Sequence, residues 1–224
     1  MIEANLQRVL EKISKACGKG GRKAEEIQMV AVTKSVPIEL VEEAVRLGLK
    51  DLGESRVQEA TIKSSFLQEK APYLKWHLLG HLQSNKVRPA VKIFDFIESV
   101  DSVKLAANIN QKAQELNKVQ DCLMEVKLSE EPSKTGLAAE EVGKFLETCQ
   151  SLSFIRIRGM MCLAPYFEDK EMSRPYFARG RKIFEKYRAQ FKTLSMGMSN
   201  DFEIAIEEGS TQVRIGTALF GSRK

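Results

Sequence analysis

Lys34 closes the apolar run Ile27-Gln28-Met29-Val30-Ala31-Val32-Thr33, and Ser35, Val36 and Pro37 follow before a helical pattern begins. The run is rich in β-branched residues and reads as a buried parallel strand. An arbitrary lysine at a strand end snorkels to solvent. One whose ammonium is desolvated loses proton affinity and presents a neutral amine. A positioned neutral amine is what Schiff-base chemistry with an aldehyde requires.

Two C-terminal segments complement that amine. Ser195-Met196-Gly197-Met198-Ser199-Asn200-Asp201 joins an apolar run to a helical pattern, with Ser199 as its N-cap candidate. Arg214-Ile215-Gly216-Thr217-Ala218 ends the last apolar run. Helix starts present free backbone N–H groups, and their dipole favours a dianion. Without a phosphate, Ser199 and Thr217 are ordinary caps.

Other strand ends carry weaker signals. Ser55, after Leu52-Gly53-Glu54, reads equally as a ligand hydroxyl or a helix N-cap. His77 and His81 are the two histidines of the chain. At i and i+4 on one strand they are too far apart to share a metal ion without a bend. The residue pattern favours His77 as a hydrogen-bonded interior histidine, and it also stands among the cofactor-binding candidates. Asn85 and Lys86 open a helical segment. Glu130 to Gly136 reads as a turn, and Met160 and Met161 as core filler.

The elements that must position these residues alternate regularly. Strands are predicted at 27–33, 49–53, 75–80, 94–99, 121–128, 154–161, 192–196 and 211–215. Helices are predicted at 38–48, 54–69, 84–92, 102–118, 138–150, 173–191 and 199–208, with a further one at 2–17 ahead of the first strand. Strict β/α alternation implies a parallel sheet. Eight strands in 224 residues fit a compact (β/α)₈ barrel of TIM type with an extra N-terminal helix. A doubly wound open sheet is second choice, since no GxGxxG occurs. The expected organisation is one domain over 1–224, with the N-terminal helix at about 1–18.

The net charge of +5 is mild and has no polybasic tail, so no nucleic-acid partner is expected. No apolar run reaches transmembrane length, and the amphipathic start lacks the apolar core of a signal peptide. The four cysteines are far apart with no CxxC pair, which argues for reduced thiols in the cytoplasm and against a zinc site.

An aldehyde-competent lysine, a phosphate cradle and Arg214 form one constellation. Pyridoxal 5′-phosphate (PLP) carries an aldehyde at one end and a phosphate at the other. Arg214 then sits near the ring, and an arginine can only donate to an unprotonated ring nitrogen. That weakens the ring as an electron sink.

The segments Val30-Ala31-Val32-Thr33-Lys34, Leu52-Gly53-Glu54 with Val57-Gln58-Glu59, and Trp76-His77-Leu78-Leu79-Gly80-His81-Leu82-Gln83-Ser84-Asn85-Lys86 carry a resemblance. So do Lys134-Thr135-Gly136, Arg158-Gly159-Met160-Met161, Ser195-Met196-Gly197-Met198-Ser199, and Arg214-Ile215-Gly216-Thr217 with Phe220-Gly221. In order and over essentially the whole chain, they resemble the pyridoxal phosphate homeostasis protein family, also called proline-synthetase co-transcribed proteins. The resemblance implies an alanine-racemase-like barrel with PLP on Lys34. It also implies phosphate binding by Met198-Ser199 and Gly216-Thr217, and Arg214 facing the ring nitrogen. The family usually has asparagine where this chain has Ser55, so a water is expected in place of an amide contact.

The candidate cofactor-binding set is Lys34, Ser55, His77, Met198, Ser199, Arg214, Gly216 and Thr217, with no catalytic or metal-binding residue assigned. The expected function is storage, buffering or delivery of PLP by a monomer or weak homodimer, with PLP-dependent apoenzymes as partners. Racemisation needs acid/base groups on both faces of a carbanion. Lys34 serves one face, and the sequence ends soon after the last strand. The alternative is a single-domain racemase or lyase with Tyr166, His77 or His81 as second base. A cofactor-free interaction scaffold, with Lys34 inert, is a third reading. Lys86 and Lys134 are candidates for holding the cofactor in transit.

Overall fold

The computed structural model describes residues 1–129 and 135–221. Its elements are α1 (Ile2–Lys19), β1 (Gln28–Val32), α2 (Ile38–Arg46), β2 (Asp51–Glu54), α3 (Val57–Leu67), β3 (Lys75–Leu78), α4 (Val87–Ile93), β4 (Phe96–Val100) and α5 (Val103–Glu115). They continue as β5 (Gln120–Lys127), α6 (Val142–Cys149), β6 (Ile155–Leu163), α7 (Arg174–Lys186), β7 (Thr193–Met198), α8 (Phe202–Glu207), β8 (Gln212–Ile215) and α9 (Thr217–Phe220). The strands pair in parallel in sequence order, and β8 closes on β1. The expected eight-stranded barrel with a preceding helix is the observed architecture.

Alternation along each strand divides its side chains between the lumen and the helix layer. The helix-facing set is apolar: Ala31, Leu52, Leu78, Ile97 and Met124 are all essentially inaccessible and join one continuous core. The lumen is far more polar, and its contents form the floor of the site below.

Helix α1 buries one stripe, Ile2, Leu6, Val9, Ile13 and Ala16, as its 3.6-residue spacing requires. It packs on α8 and α9, and Asn5 Nδ2 donates to Leu219 O at 2.8 Å. The Ser102 hydroxyl caps α5 by accepting the Leu105 N–H at 3.3 Å.

Several boundaries differ from expectation. The helix expected from Ser199 begins at Phe202, with Asp201 as N-cap. The helix expected from Glu54 begins at Val57, with Arg56 as N-cap, so Ser55 caps nothing. Both shifts lengthen the loops at the strand ends. The short helix α9 was not expected, because four residues hold no helical period. Two glycines make the tight strand-end geometry possible. Gly197 lies at φ +89°, and a β-carbon there would stand 2.6 Å from that of Ala205. A β-carbon on Gly80 would stand 2.3 Å from Ser55 O.

Candidate functional site

The C-terminal strand ends open onto a cavity of about 770 Å³. Lys34, from the end of β1, lines it and is half-buried. Ser55, after β2, lines the neighbouring wall. Met198 and Ser199 line it from the end of β7, and Gly216 and Thr217 from the end of β8. Arg214, one turn of pleat below Gly216, is 4% exposed and also reaches the cavity.

Lys34 sits in a β-turn in which the Val36 N–H donates to Thr33 O at 2.9 Å. Ser35 follows at φ +59°, a left-handed conformation that L-residues other than Asn, Asp and Gly seldom adopt.

The two C-terminal loops are joined by one hydroxyl. Ser199 Oγ accepts from Gly216 N–H and Ala218 N–H, each at 3.1 Å. Accepting twice, the hydroxyl keeps its own proton for donation outward. Asp201 Oδ1 fixes the same loop by accepting the Met198 N–H at 2.7 Å. Ser199 therefore does not cap α8, as the sequence led us to expect; it ties the β7 end to the β8 end.

Arg214 rests on a buried polar floor. Its Nη1 donates to Ser195 Oγ at 2.7 Å and its Nη2 to Cys162 O at 3.0 Å. Ser195 Oγ also accepts from Gln212 Nε2 at 2.9 Å and donates to Glu98 Oε2 at 3.0 Å. Gln212 Nε2 reaches both Glu98 oxygens, at 2.7 and 2.8 Å. His77 completes the set, with Nδ1 2.7 Å from Glu98 Oε1 and Nε2 3.0 Å from Asp51 Oδ1. Residues of β2, β3, β4, β7 and β8 can meet in this way only across the lumen.

A carboxylate on each side of one imidazole requires a proton on each ring nitrogen. Burial pulls the His77 pKa down, but Asp51 and Glu98 outweigh it and raise it to about 9. Burial alone would raise the Glu98 carboxyl, yet His77 and then Arg214 hold it below its usual value. The floor thus carries Asp51, His77, Glu98 and Arg214 with alternating charge.

His77, a cofactor-binding candidate, lies in this floor rather than on the cavity wall. The ring is fully buried, stacked on Phe96 at 4.7 Å between centroids, and absent from the cavity wall. His81, four residues further on, does line the cavity and lies 3.3 Å from Asp101 Oδ2. Tyr166 is 78% exposed and, like Lys86, lies off the cavity wall. Lys134 falls outside the described residues.

Sequence reasoning missed Glu98, Ser195, Gln212 and Glu125. Glu98 had a signal: a carboxylate in the middle of Phe96-Ile97-Glu98-Ser99-Val100 must be paired if that strand is buried. Glu125 lines the wall formed by β5, across the barrel from β1, and accepts from Thr135 Oγ1 at 2.8 Å. Its burial raises its pKa against that hydrogen bond. Among the described residues, no three His, Cys, Asp or Glu side chains are placed to hold a metal ion.

Residues 4–224 match the family model for the alanine racemase N-terminal domain. The pyridoxal phosphate homeostasis protein of Aquifex aeolicus (strain VF5) is 41% identical over 223 residues, covering 98% of this chain and 97% of that protein. The structure of PipY from Synechococcus elongatus PCC7942, solved with PLP bound, superposes with a TM-score of 0.86 at 34% identity, covering 99% of this chain and all of that one. Alanine racemase of Clostridium difficile 630 shares the fold, with a TM-score of 0.71 at 18% identity, and this chain spans 56% of its length. With near-complete coverage at such identity, and a barrel that keeps the lysine, the joined loops and the arginine on one cavity, this chain belongs to the pyridoxal phosphate homeostasis protein family.

Proposed function

We propose that this protein holds PLP in the strand-end cavity, as a Schiff base on Lys34, and stores, buffers or delivers it without robust catalysis of its own. One observation carries the reading. The lysine amine, the unit joined by Ser199, and a buried arginine converge on a single cavity. The donor set fits the group, with the Ser199 and Thr217 hydroxyls for a dianion, an amine for an aldehyde, and a guanidinium for a ring nitrogen. PipY, whose structure was solved with PLP bound, supports it from outside this chain.

When bound, the cofactor supplies an aldehyde for covalent attachment and, in enzymes, an electron sink. Lys34 provides the amine and Ser199 an outward O–H. Ser55, with a hydroxyl where the family usually has an amide, leaves room for a water. Arg214 cannot release its proton, so it donates to the ring nitrogen and keeps the ring a poor electron sink. That disfavours transamination. The cysteines Cys17, Cys122, Cys149 and Cys162 are buried and unpaired, which fits the cytoplasm. No helix among the described residues is long and apolar enough to cross a membrane.

The test is a visible spectrum of the purified protein with added PLP, before and after borohydride, with the adduct mapped by peptide mass spectrometry. The expected result is a yellow protein whose adduct lies on Lys34. Lys34→Ala loses the adduct and keeps weaker, phosphate-driven binding. An adduct on another lysine, or none at all, overturns the reading.

His81 on the cavity wall keeps the racemase or lyase alternative open to experiment, because a base there has access to the bound group. Turnover of alanine or serine enantiomers by the loaded protein would establish that alternative, and its absence would remove it.

A further inference from the structure

Lys63, on the outer face of the barrel, is the one lysine of the described chain that is nearly inaccessible, with 6% exposure. An ammonium has three donors, and each finds an acceptor here. Nζ lies 2.5 Å from Thr33 O, 2.8 Å from Glu54 Oε1 and 2.7 Å from Glu59 Oε1. The same Glu59 oxygen accepts the Ser35 N–H at 2.6 Å. Thr33 Oγ1 donates to Glu54 Oε1 at 2.6 Å. Thus the carbonyl before Lys34 and the amide after it are both held by side chains one turn apart on α3.

The cavity side of this arrangement matters. Glu59 and Ser35 line the cavity with Lys34, whereas Lys63 does not. The turn also contains the left-handed Ser35, a conformation that persists only where surrounding contacts over-determine it. The Lys63 and Glu59 contacts supply that constraint, and nothing else in α3 reaches the Lys34 peptide groups.

We propose that Lys63 and Glu59 are positioning residues for Lys34: together they clamp the peptide groups on either side of it and so aim its amine at the ligand aldehyde. The proposal rests on the covalent role of Lys34 proposed above. It assigns Lys63 no bond to the cofactor. It also explains a buried cation outside the cavity, which the binding reading leaves unused.

Two ligands separate aim from pocket integrity: PLP, and pyridoxine 5′-phosphate, which keeps the ring and phosphate but lacks the aldehyde. In folded Lys63→Met and Glu59→Ala proteins, PLP binding and the rate of adduct formation should fall about tenfold, the scale of a lost charge-assisted contact. Affinity for pyridoxine 5′-phosphate should stay within about twofold. Equal losses for both ligands, or unchanged adduct formation, overturn the proposal. If Lys63→Met does not fold, Glu59→Ala alone decides, because Glu59 is part-exposed and alanine removes the acceptor of the Ser35 N–H without burying a new polar group. Failure of the underlying reading looks different: the unsubstituted protein would then bind both ligands equally and form no reducible adduct.

Discussion

Two buried charge networks flank the ligand cavity, and they are built on different principles. The lumen network alternates sign from Asp51 through His77 and Glu98 to Arg214, with Ser195 and Gln212 filling the remaining sites. The outer network sets one cation, Lys63, against two carboxylates, and leaves Glu54 Oε2 buried without a partner among the described residues. In the first, neighbours hold the Asp51 and Glu98 carboxyls below their ordinary values against burial. In the second, burial wins and the Glu54 carboxyl is raised despite Lys63. A closed charge chain can stand fully desolvated, whereas a network with a missing partner sits closer to taking up a proton.

The largest effect should come from breaking the lumen chain. His77→Leu strands two carboxylates in the barrel and should cost about 3–5 kcal/mol, read from urea unfolding. A loss under about 1 kcal/mol would mean that water or a proton replaces the imidazolium at little cost.

Alkaline pH should break the same chain without mutation. The folded-state pKa of His77, about 9, is above its ordinary value of 6.5. The stabilisation is therefore complete below pH 6.5 and is lost as pH rises through about 9. The gap corresponds to roughly 3 kcal/mol. Unfolding measured at intervals from pH 6 to pH 10 should show this decline, and the His77→Leu protein should lack it.

Lys63→Met should destabilise less, by about 1–3 kcal/mol at neutral pH, because a proton on Glu54 can replace the lost cation. The penalty falls on charged Glu54, so it should shrink as pH drops through the raised Glu54 pKa. A penalty independent of pH would remove the distinction between the two networks.

The smallest effect marks the baseline. Lys70 and Glu42 pair at 2.7 Å with the lysine 55% exposed. Glu42→Gln should shift stability by no more than about 0.5 kcal/mol, as solvent-screened pairs do.

The two networks also mark how far the sequence could be read. Strand count and closure followed from β/α alternation, because apolar runs and helical periods are local patterns. Lys34, Ser199, Gly216 and Thr217 stood out because strand ends are local too. The depth of His77 was not legible, for a geometric reason. Alternation assigns 77, 79 and 81 to one face but says nothing of depth, and two residues along a strand amount to about 7 Å. Strand β3 ends at Leu78, so Leu79 and His81 lie past it on the cavity wall while His77 lies beneath. Glu98 meets Ser195 and Gln212, 97 and 114 positions away, which no spacing rule encodes. Glu59 and Lys63, at i and i+4 on α3, look in sequence like an exposed pair on a solvated face. Burial by the neighbouring strands gives them another use.

The docking of α1 has a consequence for how the chain is made. Asn5 bonds Leu219 across 214 residues of sequence, and Lys12 and Lys19 pair with Glu203 and Glu207. Helix α1 leaves the ribosome well ahead of these partners, which lie beyond seven of the eight strands. Its apolar stripe must wait while the intervening strands and helices are made, available to chaperones and to other nascent chains. The strands that close the barrel, β8 on β1, share that delay. Emergence of β8 and α9, rather than growth of successive βα units, should then set the moment at which native structure appears.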